Sequence, residues 1–170
     1  MAITRLGGAN AISGVIPVAN GGSGRTAVTG NVLQVVTNTA TTRFETTSTS
    51  YVAATGYTVA ITPSAASSKV FVTITGGGGD SKASGRILYA TLYRTISGGS
   101  ATDIIGNSIG IAQVYGDSSR VQAPVALSAL DSPNTTSAVT YQVYIKNYDG
   151  QVGFNNNEGE TQLTAFEIAG

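Results

Sequence analysis

The chain contains no cysteine, no histidine and no tryptophan, and charged residues make up only 11% of it. Without cysteine there can be no disulfide, no thiolate nucleophile and no cysteine-ligated zinc, and the redox compartment is left open. Without histidine the commonest general base and the commonest metal ligand are gone. These absences exclude much of enzyme chemistry, and no cofactor is expected. The charge content lies well below the roughly 25% of an average soluble domain. Nine basic and nine acidic residues cancel to a formal net charge of zero. Proteins that hold nucleic acid draw their affinity from Lys and Arg on phosphates, so no nucleic-acid partner is expected. No run approaches 18 apolar residues, and Gly7, Gly8, Asn10, Ser13 and Gly14 break up the start. Neither membrane insertion nor a signal peptide is expected. A capped helical period of ten or more residues is also missing.

What the sequence does have is glycine, 22 of them, and a surface supply of Ser, Thr and Asn. Its 170 residues suit one domain with an appendage. Residues 1–30 carry only two charges, Arg5 and Arg25, and seven glycines. A segment with so little bulk cannot offset about 1 to 2 kcal/mol of backbone entropy per residue by making its own core. Yet Ile3, Leu6, Ile12, Val15, Ile16 and Val18 recur through it. We read residues 1–30 as an N-terminal arm, with these six as its anchoring residues, ordered by docking on another protein or by winding with its own copies. Within it, Val15-Ile-Pro-Val-Ala-Asn-Gly-Gly-Ser-Gly-Arg-Thr26 reads as a joint.

From residue 31 onward the hydrophobic period is two, the signature of strands. Val32-Leu-Gln-Val-Val36 opens the series, followed by a Thr-rich segment. Tyr57, Val59 and Ile61, then Val70, Val72 and Ile74, form one-sided apolar sets, and residues 76–79 form a tip or loop. Between residues 86 and 95 both faces are apolar, as in a strand covered on two sides. Val121, Ala123, Val125, Leu127 and Ala129 read as a single alternating strand. Val139, Tyr141, Val143 and Ile145 give the cleanest inward face, and Leu163 to Ile168 close the chain. Since that last strand belongs to the core, the free end is expected to be the arm. Eight to ten strands with turn chemistry at their junctions predict an all-β, antiparallel β-sandwich of jelly-roll type over residues 31–170, preceded by the extended arm.

Candidate chemistry is sparse. The glycine clusters at residues 8–14 and 22–26 lack the Lys and the following helix that a phosphate loop needs. Two carboxylates about 5 to 9.5 Å apart could cleave a glycosidic bond, but Asp117, Asp131, Asp149, Glu158 and Glu160 read as solvated turn acids. Asp149, Asn155 and Glu158 lack a calcium-loop spacing. Binding is better supported. Tyr148, Asp149, Gln151, Phe154, Asn155, Asn156 and Asn157 combine aromatic and hydrogen-bonding side chains suited to sugar hydroxyls or protein contacts. Residues 76–85, with Asp80 and Lys82, form a second exposed candidate surface.

The stretch Ser13-Gly-Val-Ile-Pro-Val-Ala-Asn-Gly-Gly-Ser-Gly-Arg-Thr26 resembles a Gly-x-Ile/Leu-Pro-Val-Ala-Asn-Gly-Gly-Thr-Gly segment of tail-fibre proteins of tailed bacteriophages, with Ser23 in place of the usual Thr. The remainder is similar to the C-terminal β domain of virion structural proteins, notably of cyanophages. That similarity runs through Val32-Leu-Gln-Val-Val36, Thr47-Ser-Thr-Ser-Tyr51, residues 61–70, Leu130-Asp-Ser-Pro133, Thr140-Tyr141 and Glu167-Ile-Ala-Gly170. The resemblance implies a non-enzymatic virion component and a homo-oligomer, a trimer. The arm would contact other virion proteins and the head a host-surface glycan or protein. A short tail fibre or spike fits best. A capsid decoration, cement or head-fibre protein held by the same arm is the alternative, and a polysaccharide depolymerase is the enzymatic one.

Overall fold

The computed structural model describes residues 29–155 and 159–170. The six apolar arm residues from Ile3 to Val18, and Asn156 and Asn157, lie outside the described residues. Thirteen strands follow one another without a helix among the described residues. Eight of them build the sandwich: β1 (Val32–Ala40), β3 (Val52–Ile61), β4 (Lys69–Gly76), β6 (Arg86–Ile96), β8 (Ala112–Gly116), β10 (Leu127–Asp131), β11 (Val139–Asn147) and β13 (Thr161–Ile168). The other five are short: β2 (Phe44–Thr46), β5 (Gly79–Asp80), β7 (Thr102–Asp103), β9 (Gln122–Ala123) and β12 (Val152–Phe154).

One sheet has the order β1-β13-β4-β10, and the facing sheet runs β3-β11-β6, with β7 and β8 both along the far edge of β6. Every pairing is antiparallel. Counting the eight long strands in chain order, the sheets read first-eighth-third-sixth and second-seventh-fourth-fifth. That is the strand order of a jelly roll, in which two Greek keys wrap around one core. The fold predicted from the alternation is the one the chain adopts.

The alternation explains why. Val70, Val72 and Ile74 from one sheet and Val139, Tyr141, Val143 and Ile145 from the other are all fully buried. Each fully buried aliphatic side chain contributes roughly 1.5 to 3 kcal/mol. On β6, Leu88, Ala90 and Leu92 face this core, whereas Tyr89 and Tyr93 lie on the outer face. There Tyr93 stacks on Tyr144 at 3.9 Å between ring centres, and Lys146 sits 4.6 Å over the Tyr51 ring.

Two expectations need correcting, and one strand runs further than its apolar residues suggest. The single strand read through Val121 to Ala129 is interrupted at Pro124, which cannot donate to a ladder. Its two halves, β9 and β10, join different sheets. The strand that opens at Val32 runs on into the Thr-rich segment, through Thr37 to Ala40 against β13. Residues 76–79 are not a free tip, since Gly79 is buried as the start of β5.

At the end where β1 begins, Glu167 points inward with no solvent exposure. It accepts hydrogen bonds from the Ser64 amide (2.7 Å), the Ser64 hydroxyl (2.6 Å), the Ser68 hydroxyl (2.7 Å) and Gln34 Nε2 (2.7 Å). Burial alone would raise its pKa, but the donors from Ser64, Ser68 and Gln34 outweigh burial and bring the carboxyl down to about 2. Nearby, Asp131 receives Arg94 Nη1 at 2.8 Å and the Tyr141 hydroxyl at 2.8 Å. These bonds fasten β10, β11 and β6 across the two sheets.

Because the folded-state pKa of Glu167 lies below its ordinary value of 4.5, its contribution is complete above that pH and is lost as pH falls from 4.5 towards 2. Glu167→Gln is expected to cost about 2 to 3 kcal/mol at neutral pH, the scale of hydrogen bonds to a charged group. It should also flatten the acid limb of stability between pH 4.5 and 2 in urea unfolding series; an unchanged acid limb would contradict the assignment.

Candidate functional site

In a jelly roll, four connections gather at one end of the sandwich, and here they pair with one another. β2 lies between β1 and β3, β5 between β4 and β6, β9 between β8 and β10, and β12 between β11 and β13. Together they make a third antiparallel sheet in the order β2-β12-β5-β9, which caps the sandwich. Backbone groups that would otherwise be stranded over the core are satisfied this way.

The cap is held by a chain of alternating charges drawn from three of the four connections. Asp80 is completely buried and takes a bidentate hydrogen bond from Arg120, at 3.0 Å from Nε and 2.6 Å from Nη2, plus one from the Lys82 amide at 2.8 Å. The Lys82 ammonium lies 3.4 Å from Asp80 and also pairs with Glu45, which pairs in turn with Arg43. Burial pushes the Asp80 pKa up, but the bonds from Arg120 and Lys82 dominate and hold it below the ordinary carboxylate range. The second candidate surface, residues 76–85 with Asp80 and Lys82, is therefore corrected. Its acidic member is an internal brace, and the Lys82 side chain is only 12% exposed.

Packing around the brace is tight. A methyl group added at Gly79 would come within 2.7 and 2.8 Å of the Val114 and Val125 methyls, so only glycine lets β5 lie on the core. Phe154 enters the core from β12 and meets Tyr57 edge-on at 4.9 Å. The Tyr57 hydroxyl donates to the Thr42 carbonyl, tying β3 to the connection that carries β2.

β12 divides the candidate binding loop in two. Tyr148, Asp149 and Gln151 are exposed, Tyr148 at 67%. Phe154 and Asn155 are buried, the first in the core and the second with Nδ2 donating to the Gly159 carbonyl at 2.6 Å. Phe154 is turned inward by the placing of β12 between β2 and β5, and Asn155, just past the strand with φ of 53°, is held down by its amide bond to the Gly78 carbonyl at 2.6 Å. Beyond Asn155, a cleft of about 330 Å³ opens between residues 77–79, residues 122–124 and Asn155, Gly159 and Glu160. Among the described residues its wall offers amides and one carboxylate but no aromatic ring.

The exposed half of the loop acquires partners that the sequence did not suggest. The Tyr148 amide donates to the Ile87 carbonyl at 3.1 Å, extending the β11–β6 register by one residue. On the other side of β6, Tyr115 pairs with the same Ile87. Residues directly opposite share a face, so Tyr148, Ile87 and Tyr115 form one row on the outer face, with Tyr115 49% exposed. The next row is Lys146, Tyr89 and Gln113. Arg86 reaches over Gly150 and donates to the Gln151 carbonyl at 3.3 Å, supporting the rim. Behind these rows Tyr51 lies across the sheet. Burial first, and then the negative charge of Asp103, push its phenol up to about 12.

Asp131, expected as a solvated turn acid, is instead the last residue of β10 with its side chain only 9% exposed. Asp131 holds Arg94 and Tyr141, and Asp117 accepts the Tyr115 hydroxyl at 3.1 Å. Among the described residues no cluster of three or more acidic side chains could hold a metal ion.

No protein-family model and no curated protein matches the sequence. Solved structures with a loose likeness include a chain of infectious bursal disease virus strain Gx (17% identity, TM-score 0.40, covering 82% of this chain and 33% of that one). Strain Gt gives 13% identity and a TM-score of 0.38 over 82% of this chain and 39% of that one. T=1 particles derived from the virus give 15% and 0.37 over 81% and 36%. The chain thus spans little more than a third of those it matches. The fold assignment rests on the strand order and not on these likenesses.

Asp80→Ala should loosen the cap before the sandwich. The expected signs are a loss of about 1.5 to 3 kcal/mol and faster amide exchange at Asp80 and Gln122 than at Val143. Uniform loosening throughout the chain would show that the brace is not local.

Proposed function

We propose that the chain is a structural protein of a virus particle, of the tailed-bacteriophage kind its sequence resembles. In this reading it is a short trimeric fibre or spike whose jelly-roll head is displayed for adhesion to the host surface, with the N-terminal arm joining it to other virion proteins. The observation that carries the adhesive role is the row of Tyr148, Ile87 and Tyr115 at the capped end, bordered by Lys146, Gln113, Asp149 and Gln151. Tyrosine gives large contact area at low entropic cost and keeps a hydroxyl for hydrogen bonding. Amide and charged neighbours add donors and acceptors that fit sugar hydroxyls or a protein surface. A rigid sheet below the row leaves little to order on binding. Individual contacts of this kind are weak, and display in several copies makes them strong together.

Adsorption competition measures the role directly. Purified protein at saturating concentration should block attachment of the phage, and Tyr115→Ala with Tyr148→Ala should weaken that competition at least about tenfold without altering the melting temperature, because both side chains are largely exposed. No competition by the unmodified protein would reject adhesion. Deleting residues 1–24 is expected to leave a folded head that no longer enters particles, and electron microscopy of virions carrying a labelled full-length copy locates the intact protein. Label on the capsid faces in place of the tail would replace the fibre reading with capsid decoration.

A further inference from the structure

The outer face of the β1-β13-β4-β10 sheet has a different chemistry from the tyrosine-bearing face opposite. Val35 pairs with Phe166, Phe166 with Phe71, and Phe71 with Leu130, so one apolar row crosses all four strands. Val32 and Leu33 extend it at the edge. Four of these side chains are among the most exposed large apolar groups described: Leu130 at 57%, Val32 at 55%, Val35 at 51% and Leu33 at 46%. Single exposed apolar residues need no explanation, but a contiguous row on one rigid sheet marks an interaction surface.

Toward the capped end the row gives way to Thr37, Thr164, Thr73 and Ser128, paired in the same order. Among the described residues of these four strands, Lys69 is the only charged side chain on this face, and it lies at the corner. Depletion of charge with aromatic side chains at the centre is the composition of a protein interface core. A neutral face also meets its own copy without like-charge repulsion, whereas a charged partner would find nothing here to pair with.

We infer that this face seats a second copy of the same chain, with Val35, Phe166, Phe71 and Leu130 at the centre of the contact. The proposal deepens the homo-oligomer reading above by giving it a surface. It directs the tyrosine-bearing sheet away from the contact and leaves it free for adhesion.

The full chain, carrying Val35→Lys and Leu130→Lys, is compared with the unmodified chain by analytical ultracentrifugation. The unmodified chain is expected to sediment as an oligomer, and the double variant as a folded monomer with a dissociation constant raised at least about 100-fold, since each lysine would carry an unpaired charge into an apolar contact. An unmodified chain that is monomeric at 100 μM or so would overturn both the homo-oligomer reading and the surface. An oligomer that the two lysines leave intact would overturn the surface alone.

Because the protein has no cysteine, Leu130→Cys supplies a background-free second readout. Its reaction with a maleimide should slow as protein concentration rises, while that of Tyr148→Cys stays constant. Protection of residue 130 that is independent of concentration would mean that the chain's own arm covers the face, and would overturn the proposal.

Discussion

Two sheets closed over one apolar interior impose a single condition on every long strand: alternate side chains must be buried. Shifting β11 by one residue would turn Val139, Tyr141, Val143 and Ile145 to solvent and bring Thr140, Gln142, Tyr144 and Lys146 inside. The same condition fixes β4 and β13, whose register places Glu167 beside Val70. That carboxylate is tolerated inside because four donors surround it. A buried charge with fewer partners would cost more than it returned.

Closing the sandwich creates a second demand at one end, where four connections cross the open edge of the core. Each must satisfy its backbone hydrogen bonds, and the chain meets this by joining them into a small sheet. The buried Asp80 carboxylate and its bonds to Arg120 and Lys82 lock two of those connections together, and the Lys82–Glu45 pair brings in a third. Beside this cap, the β11–β6 ladder and the Tyr148 amide bond to the Ile87 carbonyl hold Tyr148 in register with Ile87.

The two outer faces differ in chemistry. One sheet presents tyrosines with amide and charged neighbours, and the other an apolar row with threonines and almost no charge. The proposed roles, contact with other copies and contact with a foreign surface, would draw on these two chemistries from faces that do not cover each other. Opposite sheets of a sandwich provide that separation.

The sandwich was legible in the sequence because burial repeats with the period of the strand, and this local signal survives without knowledge of any partner strand. Val70 to Ile74 and Val139 to Ile145 declared their inward faces in this way. The absence of cysteine and histidine likewise bounded the chemistry before any fold was known. The tertiary structure alone decided that Phe154 faces inward while Tyr148, a few residues earlier, faces out, because β12 is a strand only when β2 and β5 flank it. The tertiary structure also brought Tyr115 beside Tyr148, since a row across a sheet joins residues with no fixed spacing in sequence. Asp80 looked like a loop acid for the same reason: its partner Arg120 lies forty positions away, and only the jelly-roll order brings the two together.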